Sequence, residues 1–183
     1  MTSPMPHVPM PKIDVVLSEA DLMARVDELA ERLVPRLKGG DWTAVSILIG
    51  ATPFTTDLMK ALARRDVHPV LDVLWLESYR DARESSGRVV VRADVSRTVE
   101  GRGMLLIDDV FDTGRTLDFA KHHLIAKGAR EVLTVALTQK PWAPRGENGV
   151  DFCAFDSPGR FLVGYGMDDA GLYRGLPYIG ALD

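Results

Sequence analysis

Apolar runs of strand length alternate with helical patterns through the middle of the chain. Strands are expected at 44–50, 70–76, 89–92, 103–107 and 132–137, and helices at 18–38, 55–65 and 117–127. Near-continuous apolar runs are typical of strands buried on both faces of a parallel sheet, and their alternation with helices of about ten residues favours an α/β fold. We therefore expect a doubly wound, mainly parallel sheet with flanking helices, followed by short strands at 152–154 and 161–164.

Length, cysteine content and charge exclude several classes of protein. The chain has 183 residues and one cysteine, Cys153, which excludes an intrachain disulfide and a cysteine-cluster metal site. The net charge of −4 argues against nucleic-acid or anionic-membrane partners. No stretch approaches the roughly 20 apolar residues that span a bilayer, and residues 1–12 lack a signal-peptide core. We expect one domain with a cytoplasmic location and a flexible tail at residues 1–12.

A dense polar motif follows the predicted strand 103–107. Asp108 and Asp109 come first, and residues 112–116 read Asp-Thr-Gly-Arg-Thr just before the helix at 117–127. Small residues at a helix N-terminus leave backbone N–H groups free at the positive end of the helix dipole, which favours phosphate. Ligands of doubly wound sheets lie at the carboxyl ends of strands, where this motif falls. The motif predicts a phosphate-binding loop.

The acids of this motif have more than one interpretation. Asp108 and Asp109 could bind ribose hydroxyls or hold Mg²⁺ through water, and Asp112 could act as a base or stabilise a developing cation. Alternatively, they are only caps and first-turn residues of the helix. Neither Gly-x-x-x-x-Gly-Lys nor Gly-x-Gly-x-x-Gly follows a strand, which argues against ordinary ATPases and dinucleotide-binding proteins.

Two motifs carry a family resemblance. Residues 106–116, Leu-Ile-Asp-Asp-Val-Phe-Asp-Thr-Gly-Arg-Thr, resemble the phosphoribosyl pyrophosphate loop of type I phosphoribosyltransferases. Residues 161–168, Phe-Leu-Val-Gly-Tyr-Gly-Met-Asp, with 173–174 and 176–180, resemble the tail of bacterial hypoxanthine-guanine phosphoribosyltransferases. The resemblance implies the type I phosphoribosyltransferase fold in one domain, 13–183. Its core would cover about 40–140, and a small hood would come from about 13–38 and 141–183.

The resemblance also implies an activity. Members of this family transfer ribose 5-phosphate from phosphoribosyl pyrophosphate to N9 of a 6-oxopurine, with Mg²⁺, through an oxocarbenium-like transition state. The products are IMP or GMP and pyrophosphate. We therefore expect a purine-salvage pentosyltransferase of the hypoxanthine phosphoribosyltransferase type, assembled as a homodimer or homotetramer.

Roles in the acidic loop follow from the same resemblance. Asp112 matches the catalytic acid placed near purine N7. Asp108 and Asp109 match the pair that holds the ribose hydroxyls and the metal. The cradle for the 5′-phosphate corresponds to Thr113, Gly114, Arg115 and Thr116.

Residues after the loop match the binding site for the base and pyrophosphate. Lys140 matches the lysine that reads the purine 6-oxo group, Phe161 the stacking aromatic, and Leu162 the residue whose backbone meets the purine edge. Asp168 matches a contact to the metal and the exocyclic group, and Arg174 the arginine that meets pyrophosphate. Without the resemblance, Lys140 reads as a solvated strand-end charge, Phe161 and Leu162 as core, and Arg174 as a surface salt bridge.

Earlier residues match the pyrophosphate loop and a lid. The backbone of Gly50 matches the pyrophosphate-binding loop, in which such a glycine often lies beside a strained or cis peptide. Ile49 stands where the family usually carries lysine, so a side-chain charge is missing there. Ser78 and Tyr79 match the pair that heads a flexible loop, and the polar segment 80–87 fits such a lid, although an ordinary hairpin-like excursion is also polar.

Other functions on the same fold stay open. A regulatory or repurposed member would bind phosphoribosyl pyrophosphate or nucleotides without this reaction, and an added basic face or helix-turn-helix would indicate it. Neither feature is visible in the sequence. An enzyme that prefers xanthine is a further alternative, because backbone groups read the purine 2-position.

Overall fold

The computed structural model describes residues 12–79 and 88–182. Its strands are β1 (Asp14–Leu17), β2 (Trp42–Leu48), β3 (Val70–Tyr79), β4 (Arg88–Ala93), β5 (Gly103–Phe111), β6 (Glu131–Gln139), β7 (Phe152–Asp156), β8 (Phe161–Val163) and β9 (Ile179–Leu182). Its α-helices are α1 (Glu19–Leu37), α2 (Thr52–Ala63) and α3 (Arg115–Ala126). The elements expected between residues 18 and 164 are all present, with shifted ends.

The main sheet has six strands in the order β4-β3-β2-β5-β6-β7. The neighbours from β3 to β7 run parallel, and β4 pairs antiparallel with β3 at one edge. β2 and β6 are buried along most of their length, as expected for strands covered on both faces. The doubly wound, mainly parallel α/β sheet is therefore confirmed.

Helices cover both faces of the main sheet. The α1 helix begins after Ser18, whose hydroxyl accepts a hydrogen bond of 3.2 Å from the Asp21 N–H. This contact is the N-cap that the Ser-x-x-acid pattern predicts. The apolar face of α1 is buried with α2, through Leu22, Val26, Leu29 and Leu33. The opposite face of the sheet packs on α3, through Leu117, Ala120 and Leu124.

A second sheet, which we call the hood, joins the two ends of the described chain. Its order is β1-β9-β8, and both pairings are antiparallel. Leu162, Ile179 and Ala181 of the hood belong to the same buried cluster as α1 and α2. The α1 helix, which falls in the expected hood segment 13–38, packs against α2 and β7.

Several boundaries differ from expectation for identifiable reasons. β5 continues beyond residue 107 because β6 extends in step with it, pairing Asp108 with Ala136 and Phe111 with Gln139. α2 begins at Thr52 with a proline in its first turn, where the missing N–H costs no hydrogen bond. Among the described residues, none of the helices combines the length and apolarity needed to cross a membrane.

Candidate active site

The direction of chain progression across the main sheet reverses between β2 and β5. The chain leaves β2 through α2 toward β3 on one side, and leaves β5 through α3 toward β6 on the other. The carboxyl ends of β2 and β5 therefore flank the crevice in which doubly wound sheets bind ligands. Gly50 lies against Asp109 there, since a Cβ added to Gly50 would stand 1.9 Å from Asp109 Oδ2. The Leu48–Ile49 peptide bond just before it is cis.

The two acids at the end of β5 occupy different environments. Asp108 is 7% exposed, and its carboxylate accepts a hydrogen bond of 3.0 Å from the Asp109 N–H. Burial raises the pKa of Asp108 well above its usual range, and the charge of Asp109 raises it further. Asp109 is half-buried and accepts a hydrogen bond of 2.9 Å from the Val110 N–H. Asp109 is therefore the more accessible of the pair.

The loop from β5 to α3 ends at Gly114, the N-cap of α3. Its φ of 81° lies in the left-handed region, which glycine adopts without strain. Within the described residues, no side chain caps the first turn of α3, so the N–H groups there have no side-chain acceptor. Thr113 and Arg115 are exposed, and Thr116 is half-buried. The loop can therefore take an anion, as its sequence predicts.

A cavity of about 450 Å³ opens beside this loop, at the boundary between the main sheet and the hood. Its volume is within the range of small-molecule sites. Residues predicted from the sequence line it, namely Asp109, Asp112, Lys140, Phe161, Leu162 and Asp168. Phe161 is 55% exposed, so its ring is available for stacking, whereas the Leu162 side chain is buried in the core.

Lys140 is a buried cation rather than a solvated strand-end charge. It is 8% exposed, and its Nζ donates a hydrogen bond of 2.5 Å to the Arg160 carbonyl. Burial lowers the pKa of Lys140, and the negative charge of Asp112 partly offsets that effect. Because an ammonium carries three donors, Lys140 can hold the Arg160 carbonyl and still donate to a ligand oxygen.

Asp168 and Arg174 are paired with each other. Arg174 Nη2 lies 2.6 Å from Asp168 Oδ1, and Nη1 donates to the Gly166 carbonyl at 2.5 Å. Asp168 Oδ2 accepts a hydrogen bond of 2.7 Å from the Gly171 N–H. Because Asp168 lines the cavity, this ion pair places Arg174, the residue predicted to bind pyrophosphate, beside the cavity.

The loop between β8 and β9 of the hood, residues 164–178, contacts the segment after β2 at two points. A Cβ on Gly166 would stand 1.9 Å from the Gly50 carbonyl oxygen, so the two backbones touch. Tyr165 donates a hydrogen bond of 2.8 Å from its hydroxyl to Asp57 Oδ2 of α2. Burial raises the pKa of Tyr165, and Asp57 raises it further. The hood therefore contacts the predicted pyrophosphate loop at Gly50 and α2 at Asp57.

Some cavity residues carried no usable sequence signal. Val110 and Met167 line the cavity from inside the two motifs but carry no predicted role there. Gly159 and Arg160 line it outside any motif, as does Trp142, two residues after Lys140. Ser78 and Tyr79 end β3, but their side chains and the predicted lid at 80–87 lie outside the described part of the chain. The predicted tail at 1–12 also lies outside it, except for Lys12.

The acidic residues of the site have the chemistry of a magnesium site that is completed by substrate. Among the described residues, no group of three or more His, Cys, Asp or Glu side chains could hold a metal on its own. Asp109 and Asp168 nevertheless line the same cavity. Mg²⁺ usually takes one or two carboxylates and fills its other positions with water and substrate phosphate oxygens, so this donor set fits it.

The chain is similar to known proteins along most of its length. The family model for the phosphoribosyl transferase domain matches residues 14–169. The hypoxanthine-guanine phosphoribosyltransferase of Bacillus subtilis (strain 168) is 36% identical over 168 residues, which cover 92% of each chain. The bifunctional protein TilS/HprT of Listeria monocytogenes is 39% identical over 168 residues, but this chain spans only about a quarter (26%) of its length.

A solved structure shows the same similarity in three dimensions. The crystal structure of a hypoxanthine phosphoribosyltransferase from Staphylococcus aureus superposes with a TM-score of 0.85 at 32% sequence identity. The match covers 93% of this chain and 91% of that one.

Proposed function

Because the chain belongs to the phosphoribosyltransferase family, we propose that it transfers ribose 5-phosphate from phosphoribosyl pyrophosphate to N9 of a 6-oxopurine. Hypoxanthine would give IMP, guanine would give GMP, and pyrophosphate would leave. The observation that carries the proposal is the cavity that brings the Lys140 ammonium, the Asp112 carboxylate and the exposed Phe161 ring to one place.

Recognition of the base would come from groups of opposite polarity. The Lys140 ammonium donates to the 6-oxo group, whereas adenine presents an amino group that cannot accept that hydrogen bond. Phe161 stacks on the base, and the backbone of Leu162 meets its edge. Asp112 accepts the proton at N7.

Recognition of phosphoribosyl pyrophosphate would use the loops at the crevice. The uncapped first turn of α3 offers its N–H groups to the 5′-phosphate, helped by Thr113, Gly114, Arg115 and Thr116. Asp108 and Asp109 hold the ribose hydroxyls. The Gly50 backbone and Arg174 meet the pyrophosphate, for which the planar guanidinium of arginine is suited. Ser78 and Tyr79 would close over the reacting centre at the head of the lid.

Bond making and proton transfer would occur in one displacement. The C1′–oxygen bond breaks with its electron pair leaving on pyrophosphate, and N9 of the base bonds to C1′. Asp112 takes the N7 proton, so the purine ring does not retain a positive charge. The carboxylates of Asp109 and Asp112 also stabilise the cationic sugar of the transition state.

Of the three predicted metal ligands, Asp109 and Asp168 line the cavity and would hold Mg²⁺ together with substrate oxygens, whereas Asp108 is buried. When bound, the ion neutralises charge on the pyrophosphate leaving group.

We also propose that the protein is cytoplasmic and forms a homodimer or homotetramer.

The test is a parallel assay with Mg²⁺, phosphoribosyl pyrophosphate and one of hypoxanthine, guanine, xanthine, adenine or uracil, with nucleotide formation followed by absorbance. We expect turnover of hypoxanthine or guanine, and a decrease of about 10²–10⁴-fold for Asp112→Asn, the usual range for loss of a general base. Lys140→Met should reduce kcat/KM for the 6-oxopurine by about 10–100-fold, as expected for a lost charged hydrogen bond.

Other results would overturn the proposal. Binding of phosphoribosyl pyrophosphate without turnover of any base would favour a regulatory or repurposed protein. Turnover of xanthine alone would favour a xanthine-preferring enzyme. Activity that survives Asp112→Asn unchanged would remove the catalytic role of Asp112.

A further inference from the structure

Trp142 is an exposed tryptophan that is hydrogen-bonded to Asp112, the carboxylate that we propose as the general base. It follows Lys140 and Pro141 in a turn closed by a 3.0 Å hydrogen bond from the Ala143 N–H to the Lys140 carbonyl. Its side chain is 59% exposed and lines the 450 Å³ cavity. Its Nε1 nevertheless donates a hydrogen bond of 2.5 Å to Asp112 Oδ1. The indole is therefore held in place although most of it faces solvent.

Two further contacts hold the Trp142 ring at the cavity. Lys140 Nζ lies 6.0 Å from the ring centroid, at the limit of a cation–π contact. The ring also lies over Gly159, where an added Cβ would approach it to 2.9 Å. A side chain at residue 159 would push the ring away from this position. Trp142 is therefore bonded to Asp112 and lies close to Lys140, the two charged groups that the proposed function uses to recognise the purine.

The hydrogen bond from Trp142 limits the orientation of Asp112. An indole nitrogen is only a donor, so it binds a carboxylate oxygen and cannot bind the N–H of a purine. With Oδ1 held, rotation of the Asp112 carboxylate is restricted. Within the described residues no hydrogen bond reaches Oδ2, which stays available for a proton from a ligand. A carboxylate at the end of an exposed loop otherwise has many orientations, and only some would be productive.

We propose that Trp142 is a positioning residue for Asp112 and a second aromatic contact for the base. This inference rests on the proposed function. Phe161, in the same cavity, is 55% exposed, and Trp142 is 59% exposed. A planar purine in the cavity buries part of both rings, which favours aromatic bases over non-aromatic ligands. The indole N–H presents Asp112 Oδ2 to N7 while the rings hold the base.

Kinetics separate the two roles of Trp142. Trp142→Phe keeps a ring but removes the donor, so we expect kcat to fall about tenfold, as for a lost hydrogen bond to a charged group. The KM for phosphoribosyl pyrophosphate should stay unchanged. Trp142→Ala also removes the aromatic contact. In addition to the fall in kcat, the KM for the purine should therefore rise about tenfold in this variant. Ile125→Ala, which truncates an exposed side chain near the other end of α3, is the matched control.

Fluorescence tests the contact itself. GMP should change the tryptophan emission of the native chain and of Trp42→Phe, whose indole is buried at the start of β2. The change should be absent in Trp142→Phe, while calorimetry still detects GMP binding to that variant.

Each result decides between the two proposals. If GMP binds the native chain but Trp142→Phe shows unchanged kcat and an unchanged emission response, the role of Trp142 is wrong and the base site stands. An increase in kcat would identify the indole as an obstruction and would also contradict the inference. If the native chain neither binds GMP nor turns over a purine, the proposed function fails and this inference fails with it.

Discussion

Asp108 shows that the site contains a group that costs stability. It is 7% exposed and lies beside Asp109, so burial and then like charge raise its pKa. A carboxyl with a folded-state pKa above its unfolded value stabilises the fold only when protonated. That contribution is complete below the unfolded pKa and is lost as pH rises through the folded pKa. Above the unfolded pKa, this buried carboxyl therefore lowers the free energy of unfolding.

We expect Asp108→Asn to stabilise the ligand-free protein and to impair the enzyme. The amide keeps an oxygen for the Asp109 N–H and cannot ionise, so the free energy of unfolding at pH 7 should rise by about 1 kcal/mol. Urea denaturation measures this change, and an assay measures the accompanying loss of kcat/KM. Glu147→Gln, at an exposed position, is the control for loss of one negative charge. A lower stability of Asp108→Asn would contradict the argument.

The sequence predicts the membership of the candidate site better than its contacts. Asp109, Asp112, Lys140 and Asp168 follow from motifs, and they line one cavity. Their individual roles stay predictions. The hydrogen bond from Trp142 to Asp112 could not be predicted, because it joins two loops whose side-chain directions no motif describes.

At the scale of elements, Tyr165 links the hood to α2. Its hydroxyl donates to Asp57 Oδ2 at 2.8 Å, and the ring is 6% exposed. We expect Tyr165→Phe to lower the free energy of unfolding by about 1 kcal/mol, because the ring stays packed and only the hydrogen bond is lost. Thermal denaturation of this variant, of Asp57→Asn and of the double variant gives the coupling between the two side chains. Additive effects would show that the hydrogen bond contributes nothing.

Asp94 links the segment after β4 to the end of α3. Its carboxylate accepts a hydrogen bond of 2.6 Å from Lys127 Nζ and lies 2.9 Å from His123 Nε2. Burial raises the pKa of Asp94, but these hydrogen bonds outweigh it and lower the pKa to about 2. The folded pKa lies below the unfolded value of about 3.9. The ionised carboxylate therefore stabilises the fold above about pH 4, and that contribution is lost as pH falls toward about 2.

We expect Asp94→Asn to lower the free energy of unfolding at pH 7 by about 1 kcal/mol, a figure reduced for solvent screening because the side chain is 36% exposed. Urea denaturation from pH 7 to pH 2.5 measures the difference from the native chain. The difference should shrink below about pH 4. If it stays constant over that range, the ion pair does not contribute.

Elements of the main sheet could be predicted because each carries its own apolar pattern. β2, β6 and α1 are long enough for that pattern to be read locally. β1 and β9 have four residues each, and they pair with each other across almost the whole chain. Such short strands are specified by their partners rather than by their own sequence, so no local pattern indicates them.

At the scale of the whole molecule, an apolar surface is exposed in the described part of the chain. Leu71, Val73 and Trp75 alternate along β3 and are 50%, 37% and 44% exposed, while Leu74 between them is buried on the α3 side. Ile49 is 52% exposed. It lies next to this row of side chains because the preceding residue, Leu48, pairs with Trp75. We call these four side chains the β3 stripe. Contiguous exposed apolar side chains of this kind mark interaction surfaces.

We expect a second copy of the chain to cover the β3 stripe. Trp75→Glu should weaken self-association at least about tenfold, since a central tryptophan commonly dominates an interface and a buried charge opposes it. Sedimentation velocity over a concentration series measures the association. Ile125→Glu places the same charge on an exposed part of α3 and should not alter it. An association unaffected by Trp75→Glu would place the interface elsewhere.

The position of β9 in the hood has a consequence for synthesis on the ribosome. β9 lies between β1 and β8, so the first and third strands of the hood have no shared partner until residues 179–182 have emerged. The strands of the main sheet are all made earlier and carry their own buried core. A nascent chain can therefore assemble the main sheet while the hood is still open. The wall of the cavity that includes Phe161 and Asp168 is then completed last, by the final strand of the hood to leave the ribosome.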